Sequence, residues 1–460
     1  MISLAPILLG SIGSIPGLAT AFGTINDPYV IGQHNEHELI TRLAFRCPDG
    51  QKSDGYCFEP RSLDQLAGYH QEVAGIQIPV LGFNGAVGAP DTLDPMPEDS
   101  EAHCDDADYI DIPGYPQSRA DATAKLQECV DHLRARFRQA LGSAEDLLDD
   151  KKRIRRDMVG LSNLFGGDCF FAFPPLQVNH MGRAKCNVIE GFGRALHGVQ
   201  DFYSHSNWVD TPDLTRPIGI TNPPGLERTD IAPFFDLRTS GPIPEDKIPV
   251  NLTTGCFVIA DRTPGTGNCE GRVTHNTLHK DYGHIYLNGT FGEIGDSPRA
   301  QAVPENFHMA VKLAIQASRD TWSDLREELR HRFGEEKGDL IICSLVRDDP
   351  VVDCRHPTSA NTLKGDGTWQ ANMVVEVEKV AVENITATIE DTEPEPVAVV
   401  IDLGKSAKVV EDPASATMDV PGTGAESDIK DALSVDIEVV PEEEAETLVD
   451  QGQKILAAIK

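Results

Sequence analysis

Positive charge is scarce in this sequence. Against 73 acidic residues stand 40 lysines and arginines, a formal net charge of -33 over 460 residues. A surface of that sign repels nucleic acid and anionic lipid unless a basic patch or bound cations reverse the field, so a groove for long nucleic acid is not expected. A phosphate-bearing substrate then needs cations to supply the missing charge. The chain also lacks any CxxC pair, which disfavours a cysteine zinc site. It shows no internal repeat. Arginine and cysteine vanish altogether from 361 to 460, where acidic residues outnumber lysines by about three to one. That stretch, with its Glu-Pro-Glu-Pro and the run Glu442–Glu444, reads as a poorly ordered acidic tail without chemistry, although Val/Ile alternation at Val374–Val380 has strand character.

Charge is absent from the first 21 residues too, which end in Ala19-Thr20-Ala21. An apolar run before a small-x-small site reads as a cleaved secretory signal, even without a basic leading segment. The competing readings are a buried segment and a membrane anchor; Gly10, Gly13, Pro16 and Gly17 suit a spanning helix poorly. The 10 cysteines are even in number and all lie before 361, the pattern of disulfides in an oxidising compartment. Cys47–Cys57 and Cys256–Cys269 each close a short loop of turn-forming residues and are the preferred pairs. Sequons at Asn251, Asn288 and Asn384 suit a secreted or cell-surface glycoprotein.

Helical periodicity begins near Asn35, with His37, Ile40, Leu43 and Ala44 in phase. A second helix is expected from Ser62 to Val73, capped by Ser62 with Gln65 three residues on. Residues 75–118 read as a long loop of the kind that carries function, holding Asp91, His103, Asp105, Asp106 and Asp108. A long amphipathic helix follows over about 118–150, its face Leu126, Val130, Leu133, Phe137 and Leu141 reading as core. Another spans about Arg183–Trp208. Beyond it comes a Pro/Gly-rich section with His275, His279 and His284, then a last long helix from about Glu305 to Arg332 with His308 in its first turn. The fold class is mostly α, with a folded part over 22–360.

The chain centres on Ala195–Asp210, ALHGVQDFYSHSNWVD. His197, Asp201 and His205 recur every four residues, so a helix stacks all three on one face. Imidazoles and carboxylates in such a row are zinc-type donors. Phe202, Tyr203 and Trp208 beside them mark a buried face, with packing the commoner role for such rings.

ALHGVQDFYSHSNW resembles the signature of the fungal heterokaryon-incompatibility Het-C family. Through it the chain is similar to the zinc-dependent phospholipase C and single-strand-specific nuclease superfamily, over most of 22–333. That resemblance implies an all-α fold, up to three zinc ions and a phosphodiester substrate. It implies metal ligands at Phe22 (through its carbonyl and the amine freed by cleavage after Ala21), His37, Asp91, His103, His197, Asp201, His205 and His308. His34 competes with His37. The family's closing His-x3-Glu is here His308 followed by Lys312, no ligand while protonated; His279, Asp281 or His284 would complete that site. Two zinc ions are expected, bridged by Asp201, with the third short of ligands. The implied activity is metal-assisted phosphodiester hydrolysis, with Asp91 orienting or deprotonating water and Asp201 bridging. Small phosphodiesters or phospholipid headgroups are the implied substrates. The alternatives are a recognition protein binding a partner or membrane around a structural metal, and a non-hydrolytic enzyme on the same scaffold.

Overall fold

The computed structural model describes residues 22, 24, 26–27, 33–68, 71–73, 76–78, 85–93, 100–161, 169, 171, 183–257, 269–295, 297–354, 400–402 and 408–410. Contacts divide the chain into Met1–Val377 and Glu378–Lys460. In the second unit the described residues are one antiparallel pair, Val400–Asp402 with Lys408–Val410. The remainder of the expected acidic tail, Val374–Val380 included, lies outside the described residues, as do the expected signal segment 1–21 and the sequon Asn384.

Among its described residues the first unit is mostly helical. Its helices in chain order are α1 (Glu36–Phe45), α2 (Pro60–Ala67), α3 (Ala89–Leu93), α4 (Ser100–His103), α5 (Arg119–Ser143), α6 (Arg156–Val159), α7 (Ala184–His205), α8 (His275–Leu278), α9 (Pro298–Ala302), α10 (Pro304–Phe333), α11 (Glu335–Val346) and α12 (Pro350–Asp353). Every described sheet has only two strands. One of these, Gly283–Ile285 paired antiparallel with Phe291–Ile294, lies just after the loop that supplies part of the site.

Helix α5 starts where the Ser118 side chain accepts from the Asp121 N–H at 3.1 Å, an N-cap bond. Its stripe Leu126, Val130, Leu133, Phe137 and Leu141 is buried, as anticipated, and α5 packs chiefly on α7. Helix α7 has no solvated face over its last three turns: every residue from Arg194 to His205 is buried. A helix enclosed on all sides must be surrounded by other elements, and α2, α4, α5, α10 and α11 all contact it. Two glycines permit that closeness. A Cβ on Gly193 would lie 2.3 Å from the Ala86 Cβ, and one on Gly198 would lie 2.6 Å from the Ala102 carbonyl oxygen of α4. The bare backbone at these positions lets Val87 and His103 reach the α7 histidines.

Two expectations need correction. The helix expected over Ser62–Val73 is α2, which begins with Pro60 in its first turn and ends at Gly68, φ 118°. Ser62 is therefore inside the helix rather than its cap; its hydroxyl donates to the Arg347 carbonyl at 3.0 Å and receives Lys185 Nζ at 2.9 Å. Residues 71–73 and 76–78 instead pair as an antiparallel hairpin. The loop expected over 75–118 contains α3 and α4, two short helices that carry site residues.

All 10 cysteines are paired: Cys47–Cys57, Cys104–Cys129, Cys169–Cys186, Cys256–Cys269 and Cys343–Cys354. Both preferred pairs are among them. Five disulfides suit an oxidising, extracellular type of compartment. Among the described residues no helix is long and apolar enough to cross a membrane.

Candidate metal centre

Asp201 is the hub of the site. Its Oδ2 lies 2.9 Å from His103 Nδ1 and 3.0 Å from His197 Nε2. Its Oδ1 lies 3.0 Å from His37 Nε2, 3.3 Å from the Phe22 backbone nitrogen and 3.8 Å from His205 Nε2. Asp91 reaches in from α3, its Oδ1 3.7 Å from His197 Nε2 and 3.8 Å from His103 Nδ1. Residues 179 positions apart in the chain thus meet within hydrogen-bond range at one carboxylate.

The ring orientations are set from outside the cluster. A carbonyl can only accept, so His197 Nδ1, 2.8 Å from the Val87 carbonyl oxygen, carries the proton and its Nε2 lone pair faces Asp201. His37 Nδ1 sits 2.7 Å from Gln200 Oε1, while the Gln200 amide nitrogen donates to Thr41 and Ser318, both at 3.1 Å. Outer partners that fix tautomer and ring plane in this way accompany metal-ligating histidines. His197 Nε2 and His103 Nδ1 are 3.0 Å apart, a spacing at which two imidazoles either share a proton or ligate one cation together.

A second group lies on the other side of His205. Asp105 contacts His205 Nδ1 at 3.3 Å and His275 Nδ1 at 3.2 Å. Asp281 contacts His205 Nε2 at 3.3 Å, His275 Nε2 at 3.2 Å and His279 Nδ1 at 3.3 Å. One residue separates the two groups on the α4 side: Cys104, at φ 58° and tied to Cys129 of α5, turns His103 toward the first and Asp105 toward the second.

Ligand atoms within 4.8 Å of one another therefore occur in three sets here: His37, His197 and Asp201; Asp91, His103 and His197; Asp105, His205 and His275. A fourth set, Asp106, Asp108 and Cys256, is already committed elsewhere, since Cys256 is in a disulfide and Asp108 pairs with Arg272. Imidazole and carboxylate donors of this kind could hold a divalent metal ion. Both Asp91 oxygens are buried without a hydrogen bond, and His37 Nε2, Asp105 Oδ1 and both nitrogens of His205 meet only histidine or carboxylate groups of the cluster, as donors gathered around a cation would.

The charges are those of a cation site. Burial alone lifts the Asp201 carboxyl, but His197, His205 and His37 outweigh it and hold the group well below the carboxylate range. Burial, with His37 and His103 adding to it, pushes His197 down to about 3, so it is a neutral donor. Burial pushes Asp91 up to about 7, helped by Asp201 and Asp281 and opposed by His103 and His37. Burial also works against a charged His205, yet Asp105, Asp201 and Asp281 raise it to about 10. In metal-stripped protein that last shift has a sign. A histidine raised from 6.5 to about 10 on folding contributes stability that is complete below pH 6.5 and is lost as pH rises through 10. The melting temperature of chelator-stripped protein is expected to fall across that window, while zinc-loaded protein, whose protons the metal has displaced, changes less. Scanning fluorimetry of both forms checks this; parallel profiles would contradict it.

Most of the anticipated residues meet here: Phe22, His37, Asp91, His103, His197, Asp201 and His205. His308 does not. Its half-buried ring stacks on Phe291 at 4.4 Å, and Lys312, one turn on, is exposed. Helix α10 turns that edge away from the cluster, so the expectation for His308 is corrected. His34 and His284 also stand apart, stacked on each other at 5.0 Å, which leaves His37 as the residue that joins. Of the three suggested substitutes, Asp281 and His279 belong to the second group. Asp105 and His275 are members that sequence reasoning misses as ligands; the signal available is His103-x-Asp105 in one acidic turn. Tyr203 and Trp208 pack rather than line the site: the Tyr203 hydroxyl accepts from the Ala232 N–H at 3.0 Å, and Trp208 donates to the Asp230 carbonyl at 2.8 Å.

The class this defines is a disulfide-linked, mostly helical protein with a buried His/Asp centre of metal-binding type. No family model, curated protein or solved structure matches the chain.

Proposed function

We propose that the protein is a secreted, metal-dependent hydrolase of phosphodiesters, with phospholipid headgroups among its substrates. The reading extends the resemblance of the 195–208 motif to the Het-C family and, through it, to the phospholipase C superfamily. The observation that carries it is the convergence of His37, His103 and His197 nitrogens on Asp201 within 3.0 Å, with the rings of His37 and His197 oriented from behind.

Phe22, His37, Asp91, His103, His197 and Asp201 would hold zinc in the first group, and the bound metal supplies positive charge that polarises a phosphoryl group and acidifies water. The protein's own part follows from its residues. Val87 and Gln200 keep a proton on Nδ1 of two imidazoles, so that their Nε2 atoms face Asp201. Asp201 sets both of its oxygens among them. Asp91, with neither oxygen hydrogen-bonded, is the group able to take a proton from the attacking water. With a net charge of -33, small phosphodiesters suit the site better than long nucleic acid. A chain that begins at Phe22 places its α-amine 3.3 Å from Asp201 Oδ1. N-terminal sequencing of secreted protein tests that arrangement, and any other mature N-terminus removes Phe22 from the ligand set.

Near-complete burial of the cluster favours a second reading, a recognition protein with a structural metal; Asp91 and His275, the most accessible members, are each only 7% exposed. Chelation separates the two. Because five disulfides and a continuous core hold the fold, stripping zinc from the hydrolase is expected to reduce turnover at least about a hundredfold, the scale of about 3 kcal/mol, with helix content unchanged. Circular dichroism and hydrolysis of a nitrophenyl phosphodiester and of phosphatidylcholine vesicles read both quantities. Collapse of the helical signal on chelation supports the structural reading. Absence of hydrolysis with zinc-, cobalt- and manganese-loaded protein ends the hydrolase reading.

A further inference from the structure

We propose that the second group is a cation site in its own right: a divalent ion of the zinc class held by Asp105 and the Nδ1 atoms of His205 and His275, with Asp281 fixing both rings from behind. Three separate stretches meet there, the turn after α4, the end of α7 and the start of α8. Their ligand atoms lie within 4.8 Å of one another.

Three observations carry the assignment. The His205 ring is 0% exposed, yet neither of its nitrogens makes a hydrogen bond of regular geometry: Nδ1 meets only Asp105 Oδ1 and Nε2 meets only carboxylates, the nearest contact on each side being 3.3 Å. Each such buried group costs about 1–3 kcal/mol if nothing binds it, and a cation on the Asp105 side satisfies His205 Nδ1 and Asp105 Oδ1 together. The arrangement is also two-sided. Asp105 faces both Nδ1 atoms at 3.2–3.3 Å, and Asp281 faces both Nε2 atoms at 3.2–3.3 Å. Asp281 is itself held by the Ser204 hydroxyl at 2.5 Å. A carboxylate drawing the proton of each ring to Nε2 turns the Nδ1 lone pairs toward Asp105, the outer-sphere pattern of histidine–metal sites. Finally, three protein donors leave a coordination position open to water or substrate. His308 plays no part in it, so the group expected to be short of ligands is completed from a different part of the chain.

The site adjoins the first through His205, whose Nε2 is 3.8 Å from Asp201 Oδ1. Its existence does not depend on the hydrolase reading, because metal can be counted without substrate. Full-length protein is stripped, reloaded with Zn²⁺ or Co²⁺, dialysed and analysed by plasma mass spectrometry and cobalt absorption. Asp105→Asn and His275→Gln are each expected to lose one metal equivalent relative to the parent protein and to keep the rest. Asp91→Asn keeps the equivalent that those two lose. Asp281→Asn keeps the full count but binds that same equivalent about 10–100-fold more weakly. Full metal content in folded Asp105→Asn and His275→Gln overturns the proposal, as does loss of every equivalent with helix content intact. If those two variants misfold, the Asp281→Asn titration decides: weakening of one equivalent supports the site, and an unchanged affinity overturns it. Hydrolysis is assayed on the same samples; a full metal count without turnover ends the hydrolase reading and leaves this site standing.

Discussion

Replacing Asp201 with asparagine is expected to lower phosphodiester turnover by at least about a thousandfold, equivalent to about 4 kcal/mol of transition-state stabilisation, and to strip zinc from the first group. The substitution keeps the side chain's shape, so the packing of α7 survives. It removes one negative charge from a point that three imidazoles face within 3.0 Å. His37 and His103, both held above the ordinary histidine range against their burial chiefly by Asp201, lose that support. An amide offers one weakly basic oxygen where the carboxylate offers two, so the link between His37 on one side and His103 and His197 on the other is broken. His197→Ala is expected to match this loss rather than add to it, because both residues belong to one constellation. Metal content and kcat/KM of the folded variants are the measurements. An Asp201→Asn variant that keeps its zinc and stays within about tenfold of the parent, under about 1.4 kcal/mol, would remove Asp201 from the centre of the site.

Gly198→Ala is expected to destabilise the protein by about 1–3 kcal/mol and to lower its zinc content, even though residue 198 has no donor side chain of its own. Alanine is the better helix former by about 1 kcal/mol, so on an isolated helix the change would help. Here the new Cβ would lie 2.6 Å from the Ala102 carbonyl oxygen and 2.7 Å from Leu133 Cδ2. The leucine can rotate; the backbone oxygen cannot. Helix α4 must move outward, and His103 is its last residue. The displacement therefore emerges where Asp201 Oδ2 meets His103 Nδ1 at 2.9 Å. Denaturant titration and metal analysis together test this. A variant more stable than the parent, with undiminished zinc, would show that the close approach of α4 and α7 carries no strain on substitution.

The elements legible in the sequence are those whose signal is local. Asn35 onward, the stripe from Leu126 to Leu141, and Pro304 ahead of a long periodic run each announce a helix through spacing alone, and each helix begins within a residue or two of the expected place. The short loops Cys47–Cys57 and Cys256–Cys269 are legible for the same reason. Helix α2 is misread from sequence because Ser62 and Gln65 imitate a capping box inside a helix already begun by Pro60. Helix α11 escapes because Gly334, at φ 81°, restarts the chain immediately after α10 without a loop to mark the boundary.

At the site, the row His197, Asp201, His205 is settled by spacing alone, since a helical repeat of four places these side chains on one face regardless of what surrounds them. The donor chemistry is equally plain in the residue types, as is the shortage of positive charge. Which distant residues complete the row depends on tertiary packing. His308 sits in a helix start that looks right, yet the rotation of α10 about its axis turns that edge outward onto Phe291. In the sequence Asp105 and His275 lie in stretches that read as loops, with no helical spacing to tie them to His205. They become partners of His205 because Cys104, tied to α5 at φ 58°, swings Asp105 to one side and α8 brings His275 to meet it. Rotation about a helix axis and the direction of a left-handed turn depend on what packs against them, and neither is written in the spacing of residues along the chain.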